Sequence, residues 1–330
     1  MIFERNIRGK KVKIKLKINE ISGLVIALII VSIVLSTTTD SFLTFTNIIN
    51  LLRQISLSSI LAIGLSMTII TGGIDISGGN VAALTGIAVA WMISYKHLNL
   101  WLAIVLTLLI GSIIGLINGF NVAYLGIPPF MATIAMMFII QGITFQLTDG
   151  YPIYKGLTEQ FLFIGKGYIW KIPTPVIITA FIFILAYFFL NYLRTGQYFY
   201  AIGGNEDAVM VSGVNVKKVK MVAYLISGLC AALTGIMMTA RLGSAQPAAA
   251  GMDFFLTALT AVVIGGVALT GGKGSVVGIL VGILFLAVIN NGLTLLRVSA
   301  YMQWIIIGFL LILAIIWHSF QDKLTRGEVG

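Results

Sequence analysis

The sequence predicts an all-α polytopic membrane protein of about ten transmembrane helices, with N- and C-termini cytoplasmic. Three observations predict it. Of 330 residues, 58% are hydrophobic and only 10% charged, and the mean hydropathy is +1.04, whereas a soluble domain carries roughly a quarter charged residues. The apolar residues gather into runs near the ~20 helical residues that cross a hydrocarbon core ~30 Å thick. Basic residues favour one side of those runs, as the positive-inside rule requires.

The runs cover 21–37, 53–71, 80–96, 99–121, 129–148, 175–193, 221–240, 254–271, 275–294 and 301–318. Glycines and polar residues interrupt the third, fifth and eighth. With the N-terminus inside, the inner segments hold 14 basic residues and the outer ones 7. Half of the inner set (Arg5, Arg8, Lys10, Lys11, Lys13, Lys15 and Lys17) lies in the N-terminal stretch 1–20. This cluster abuts the first apolar run, so it reads as a cytoplasmic tail facing membrane lipid and not as a nucleic-acid site. Ser36-Thr37-Thr38-Thr39-Asp40 offers no small-x-small cleavage pattern, and the first run reads as a retained anchor. The membrane-spanning body is then 21–318, followed by a cytoplasmic C-terminal tail at 319–330.

Several chemistries are excluded. The single cysteine, Cys230, sits in an apolar run, which leaves no disulfide and no cysteine-based metal site. Gly272-Lys273-Gly274 lacks the first glycine and the hydroxyl residue of a Walker loop. No HExxH, GxSxG or zinc-ligand spacing occurs, and His97 and His318 fall at span ends. The chain is expected to have no enzyme activity, no ATPase motif and no metal. Of 11 acidic residues only Asp75 and Asp253 approach a span, too few for ion coupling of the usual kind. The buried polar residues are instead amides: Asn118, Asn121, Gln141, Gln146, Asn290, Asn291 and Gln303. They suit a passage for neutral, hydroxyl-rich solutes, and equally suit hydrogen bonds between helices.

Two patterns repeat. Gly72-Gly73-Ile74-Asp75-Ile76-Ser77-Gly78-Gly79 resembles Gly265-Gly266-Val267-Ala268-Leu269-Thr270-Gly271-Gly272. Gly111, Gly115 and Gly119 recur at four-residue spacing, as do Gly274, Gly278 and Gly282, and each series leads towards an asparagine, Asn118 or Asn290. Glycine every fourth residue clears a helix face for close packing. Glycine-broken segments in both halves also point to a transport pathway.

Two connections are long. Residues 149–174 mix aromatics, lysines and prolines and are expected to form a small external cap. Residues 194–220 form the longest polar stretch, on the cytoplasmic side. Within it Asn205 is an N-cap, Glu206 and Asp207 occupy a first turn, and Gly213 is a stop. The segment Ala208-Val209-Met210-Val211-Ser212 between them predicts a two-turn helix with an exposed apolar body. Such a helix either lies on the membrane surface or docks in a groove on a partner protein.

At these residues the sequence resembles the permease subunits of sugar ABC importers, the ribose-type family of binding-protein-dependent permeases. The resemblance covers roughly 45–318. It rests on Thr71-Gly72-Gly73-Ile74-Asp75-Ile76-Ser77, Pro128-Pro129-Phe130-Met131-Ala132-Thr133, and Gly203-Gly204-Asn205-Glu206-Asp207-Ala208 running on to Ser212-Gly213-Val214-Asn215-Val216. Ala240-Arg241-Leu242-Gly243-Ser244-Ala245-Gln246-Pro247, the glycines 265–274 and Asn290-Asn291-Gly292 complete it. One departure is Gly78-Gly79-Asn80, where sugar permeases usually read valine, glycine, serine.

The resemblance implies a homodimer or close heterodimer of permeases, a cytoplasmic ABC ATPase holding ATP and Mg, and an extracytoplasmic sugar-binding protein. It implies that Gly204, Asn205, Glu206, Asp207, Val209, Met210, Val211, Ser212 and Gly213 contact the ATPase. Ser244, Gln246 and Pro247, with Tyr151 and Tyr154 of the 149–174 loop, would face the binding protein. Asp75, Asn118, Asn121, Gln141, Asn290 and Asn291 are the candidates for the translocation path. The expected function is import of a ribose-like monosaccharide across the plasma membrane. The alternatives are a nucleoside, autoinducer-2 or amino-acid permease of the same family, an ion-coupled secondary carrier, or a structural membrane scaffold.

Overall fold

The computed structural model describes residues 2–7, 10–15 and 20–326, with side chains from 21 to 316. The basic side chains of the N-terminal tail, His318 and the side chains of 319–330 lie outside the described residues. The chain opens with strands β1 (Ile2–Ile7) and β2 (Lys10–Lys15), an antiparallel ribbon pairing Ile2 with Lys15. Helices follow: α1 (Glu20–Thr38), α2 (Phe45–Ile70), α3 (Gly78–Ser94), α4 (Leu100–Ala123), α5 (Pro129–Thr148) and the short α6 (Glu159–Lys166). A two-stranded hairpin, β3 (Tyr168–Ile169) and β4 (Ile172–Pro173), leads into α7 (Thr174–Tyr192), α8 (Arg194–Gly204) and α9 (Glu206–Val211). The bundle closes with α10 (Val216–Leu242), α11 (Met252–Ile264), α12 (Val276–Leu295) and α13 (Ala300–Arg326).

Among the described residues, seven helices (α1, α2, α4, α5, α7, α10 and α12) are long and apolar enough to cross a membrane. α3, α11 and Ala300–Ile316 of α13 are shorter apolar helices. Local chemistry sets many of the starts. Thr44, Asn99, Thr158, Asn205, Asn215 and Ser275 each accept a backbone N–H from the first turn of the helix they precede. Proline opens α5 and stands in the first turn of α7, where its missing N–H costs nothing.

α10 and the second half of α2 form the buried axis, with α3 beside them. α4 lies along α10 through the first glycine series. A Cβ at Gly111 would sit 2.5 Å from both the Gly228 carbonyl oxygen and the Ala232 Cβ, and one at Gly115 would strike the Tyr224 carbonyl. On the other side of the axis, Gly278 and Gly282 of α12 receive the carbonyls of Gly265 and Ala261. Gly274, expected to begin this second series, instead sits in the turn before α12 and packs on Val267. Leucines, isoleucines and aromatics of α1, α4, α5, α7 and α13 stay exposed around the rim, the surface a bilayer would cover.

Three boundaries differ from the sequence reading. α2 begins at Phe45 instead of 53, because the Thr44 cap and the Asn47 amide, which donates to the Phe42 carbonyl, start the helix early. Arg53 therefore belongs to a helix and not to a loop. The eighth run stops at Ile264, since Gly265 and Gly266 break it and Gly271 and Gly272 both take positive φ. The 194–220 segment is mostly helical: α8 and α9 fill its first part, and α10 takes in Lys217, Lys218 and Lys220.

Candidate coupling helix and solute path

α9 forms as its residues dictate. Asn205 Oδ1 accepts the Ala208 N–H at 2.9 Å, worth about 1 kcal/mol as a cap. Glu206 and Asp207 lie in the first turn, where the helix dipole favours them. Ser212 Oγ donates to the Val209 carbonyl at 2.7 Å, and Gly213 ends the turn at φ 85°. Glu206 also pairs with Lys220 at 2.6 Å, tying α9 to the first turns of α10.

The apolar body divides. Met210 is 59% and Val211 84% exposed, but Val209 is only 8% exposed and packs into the core. The expectation of three exposed residues is corrected accordingly. At 3.6 residues per turn three consecutive side chains cannot share a face, and α9 must spend one on holding itself to the bundle.

Next to α9 two glycine turns, at Gly72 and at Gly271-Gly272, meet the glycine end of α8. The Gly272 N–H donates to the Ile70 carbonyl at 2.9 Å. A Cβ at Gly203 would run into the Ile70 carbonyl oxygen and the Gly272 nitrogen. One at Gly271 would lie 2.9 Å from the Gly72 nitrogen and 3.0 Å from the Gly203 Cα. The Tyr200 hydroxyl donates to the Gly274 carbonyl at 3.1 Å, and burial pushes this phenol's pKa up, so it stays a donor. The two glycine-rich echoes of the sequence therefore touch, and the root of the α9 segment is wedged between them.

Asp75 and Asn118 come together away from the surface. Asp75 Oδ1 accepts from the Ser77 N–H at 3.1 Å and Ser77 Oγ at 2.6 Å, and its Oδ2 accepts from Ser227 Oγ at 2.8 Å. Asn118 Nδ2 donates to Ser77 Oγ at 2.9 Å. Tyr224 donates its hydroxyl to the Ile74 carbonyl at 3.2 Å. This knot ties the α2–α3 turn to α4 and α10, with Asp75 and Asn118 both buried. Ser227 and Tyr224 gave no motif in the sequence. Their only signal is polarity within an otherwise apolar helix face.

The remaining path candidates are dispersed. Asn291 exchanges two hydrogen bonds with Asn47, at 2.9 and 2.8 Å, joining α12 to α2. Asn121 and Asn290 are half-buried, and Asn290 Oδ1 is buried without a partner among the described residues. Gln141 is exposed on α5, at a cavity of about 460 Å³ between α3, α5 and the start of α11.

At the opposite end of α10, Ile153 and Ala245 exchange two backbone hydrogen bonds, at 2.9 and 2.8 Å. They join the 149–174 segment to the residues after α10. Ser244 accepts from Gln246 Nε2 at 3.1 Å, while Pro247 is buried. Tyr151 and Tyr154 are exposed, as is Trp170 at the β3–β4 turn. Arg53 Nη2 donates to the Lys166 carbonyl at 2.7 Å and its guanidinium stacks over Tyr168 at 4.6 Å, clamping the hairpin to α2.

A glycine-notched bundle with seven helices of membrane-crossing length among the described residues is the architecture of a polytopic membrane protein, and the family it matches makes it a permease. Residues 47–315 match the family model described as branched-chain amino acid transport system, permease component, and the chain belongs to this family. It is a multi-pass protein of the plasma membrane. Ribose import permease protein RbsC of Escherichia coli (strain K12) is 41% identical over 315 residues, covering 94% of this chain and 97% of the relative. RbsC of Bacillus subtilis (strain 168) is 42% identical over 301 residues, covering 91% and 92%. The D-allose transport system permease protein AlsC of Escherichia coli (strain K12) is 36% identical over 287 residues, covering 87% of each. No solved structure matches the chain.

Proposed function

We propose that the chain is the membrane subunit of a ribose-type sugar ABC importer, with α9 as the helix that docks a cytoplasmic ATPase. The observation that carries the docking role is the exposed Met210–Val211 pair on a helix fixed at both ends by the Asn205 cap and the Gly213 stop. Relatives that are at least a third identical along most of the chain are named as ribose and allose permeases, which favours a monosaccharide over the amino acids of the family's description.

In this reading α3, α11 and α13 join the seven longer helices as spans, giving ten with both termini inside. A second permease copy completes the pathway. ATP and Mg bind the ATPase, and an external binding protein delivers sugar to the face carrying Tyr151, Tyr154, Ser244 and Gln246. Closure of the ATPase moves α9, and the Glu206–Lys220 pair and the glycine turns at Gly203 pass that motion to α2, α10 and the α11–α12 turn.

Met210→Asp should lower the ATPase recovered with the tagged chain at least tenfold, about 1.4 kcal/mol of docking energy. Chain levels in the membrane should stay unchanged. Affinity purification with quantitative mass spectrometry reads both. ATPase recovery that survives Met210→Asp together with Val211→Asp would remove α9 from the interface. Uptake that follows an ion gradient with no ATPase recovered from the native chain would instead establish a secondary carrier.

A further inference from the structure

We propose that the cavity between α3, α5 and α11 is a resting site for a neutral polyhydroxyl solute, with Gln141, Asn80 and Thr257 as its specificity-determining residues. The inference deepens the importer reading and rests on it. At about 460 Å³ the cavity falls within the ~300–1,000 Å³ of small-molecule sites. It is built and not incidental. Residues 247–251, between α10 and α11, fold over the start of α3, where Gly79 has no Cβ and the Gly251 carbonyl takes its place. That contact brings Asp253 and Thr257 of α11 opposite Asn80.

The polar groups are arranged for an occupant. Asn80 is 7% exposed, lines the cavity, and donates through Nδ2 to the Met137 carbonyl of α5 at 3.2 Å. Its Oδ1 accepts from no described residue. Gln141, one turn further along α5, makes no hydrogen bond to any described residue and sits midway along an apolar helix. A bare amide facing hydrocarbon costs about 2 kcal/mol or more, which water or solute hydroxyls would offset. Thr257 Oγ1 donates to the Asp253 carbonyl at 2.9 Å and retains its lone pairs.

The chemistry selects the ligand. The amides and hydroxyls accept from and donate to hydroxyls, the carboxylate accepts from them, and Phe145 and Phe254 add apolar wall for the C–H side of a sugar. Among the described residues, no lysine, arginine or histidine lines the wall. A phosphorylated sugar or an amino-acid carboxylate would therefore enter beside Asp253 with no cation to balance it, a repulsive arrangement that excludes anions.

The test uses the full chain with its co-expressed partners in membrane vesicles, D-ribose as the probe solute, and D-ribose 5-phosphate as the anionic control. Gln141→Leu, at an exposed position that no packing depends on, should cut ribose uptake at least tenfold, and Thr257→Val should act in the same direction. ATPase recovery should be unchanged. Gln141→Cys should react with a water-soluble thiol reagent, ribose should slow that reaction and the phosphate ester should not; Cys230 is buried and gives little background. Native uptake with unimpaired variants, or Gln141→Cys reacting only with lipid-soluble reagents, would overturn the cavity while leaving the importer standing. Native vesicles that neither take up ribose nor retain the ATPase would bring down the importer, and the solute assignment with it.

Discussion

Gly203→Val is expected to cut the recovery of folded chain from membranes at least tenfold and to lower its melting temperature in detergent. The added Cβ would overlap the Ile70 carbonyl and the Gly272 nitrogen at once. Both are backbone atoms of other segments, so no rotamer change relieves the overlap. Overpacking a core usually costs about 1–3 kcal/mol where side chains can shift; here the two turns must separate, and the Gly272–Ile70 hydrogen bond goes with them. At Gly204, the next residue, an added Cβ would meet nothing within 4 Å. Gly204→Ala should therefore melt with the native chain. Equal melting of the two variants would mean that the turns are not clamped on α8.

Asp75→Leu should destabilise the chain by about 3 kcal/mol. Four donors lose an acceptor: the Ser77 N–H, the hydroxyls of Ser77 and Ser227, and, at 3.4 Å, the Asn118 amide, which keeps Ser77 Oγ as a second partner. Each buried unpaired donor costs about 1–3 kcal/mol, and the hydroxyls recover part of that by turning to helix carbonyls. Asp75→Asn keeps one acceptor oxygen of the same shape, and its amide can donate to Ser227 after the hydroxyl turns. It should lose about half as much. Thermal unfolding of the two variants beside Ser227→Ala, which removes a single donor, separates the network from bulk packing. Equal loss in Asp75→Leu and Asp75→Asn would mean that the carboxylate matters for something other than these hydrogen bonds.

Much of the fold was legible because a bilayer imposes one length and one polarity on each helix. The runs at 99–121 and 129–148 fall within two residues of α4 and α5. α9 was legible because its signals are local: an asparagine cap, two acids and a glycine within nine residues. What failed is non-local. The burial of Val209 depends on what the bundle places beneath α9. The Asp75–Ser227 contact crosses 152 residues, and no periodicity announces it. Asn291 reads as a path residue in the sequence, whereas the fold sets Asn47 opposite it. Asn80 figures in the sequence only as part of the Gly78-Gly79-Asn80 departure, because its position on the cavity wall requires Gly79 and Gly251 to meet.

The contact between α4 and α10 has a mechanical consequence. Ordinary helix interfaces shear, since side chains between them hop rotamers as the axes slide. Along Gly111, Gly115 and Gly228 no such cushion exists, and peptide carbonyls of each helix seat directly in notches of the other. A quarter-turn of sliding would lift a carbonyl out of its notch and drive it against the wall. The pair therefore behaves as a stator. Any swing that opens the protein falls to helices outside such notches, among them α5 on the cavity wall, whose one glycine, Gly142, would meet nothing within 4 Å with a Cβ added.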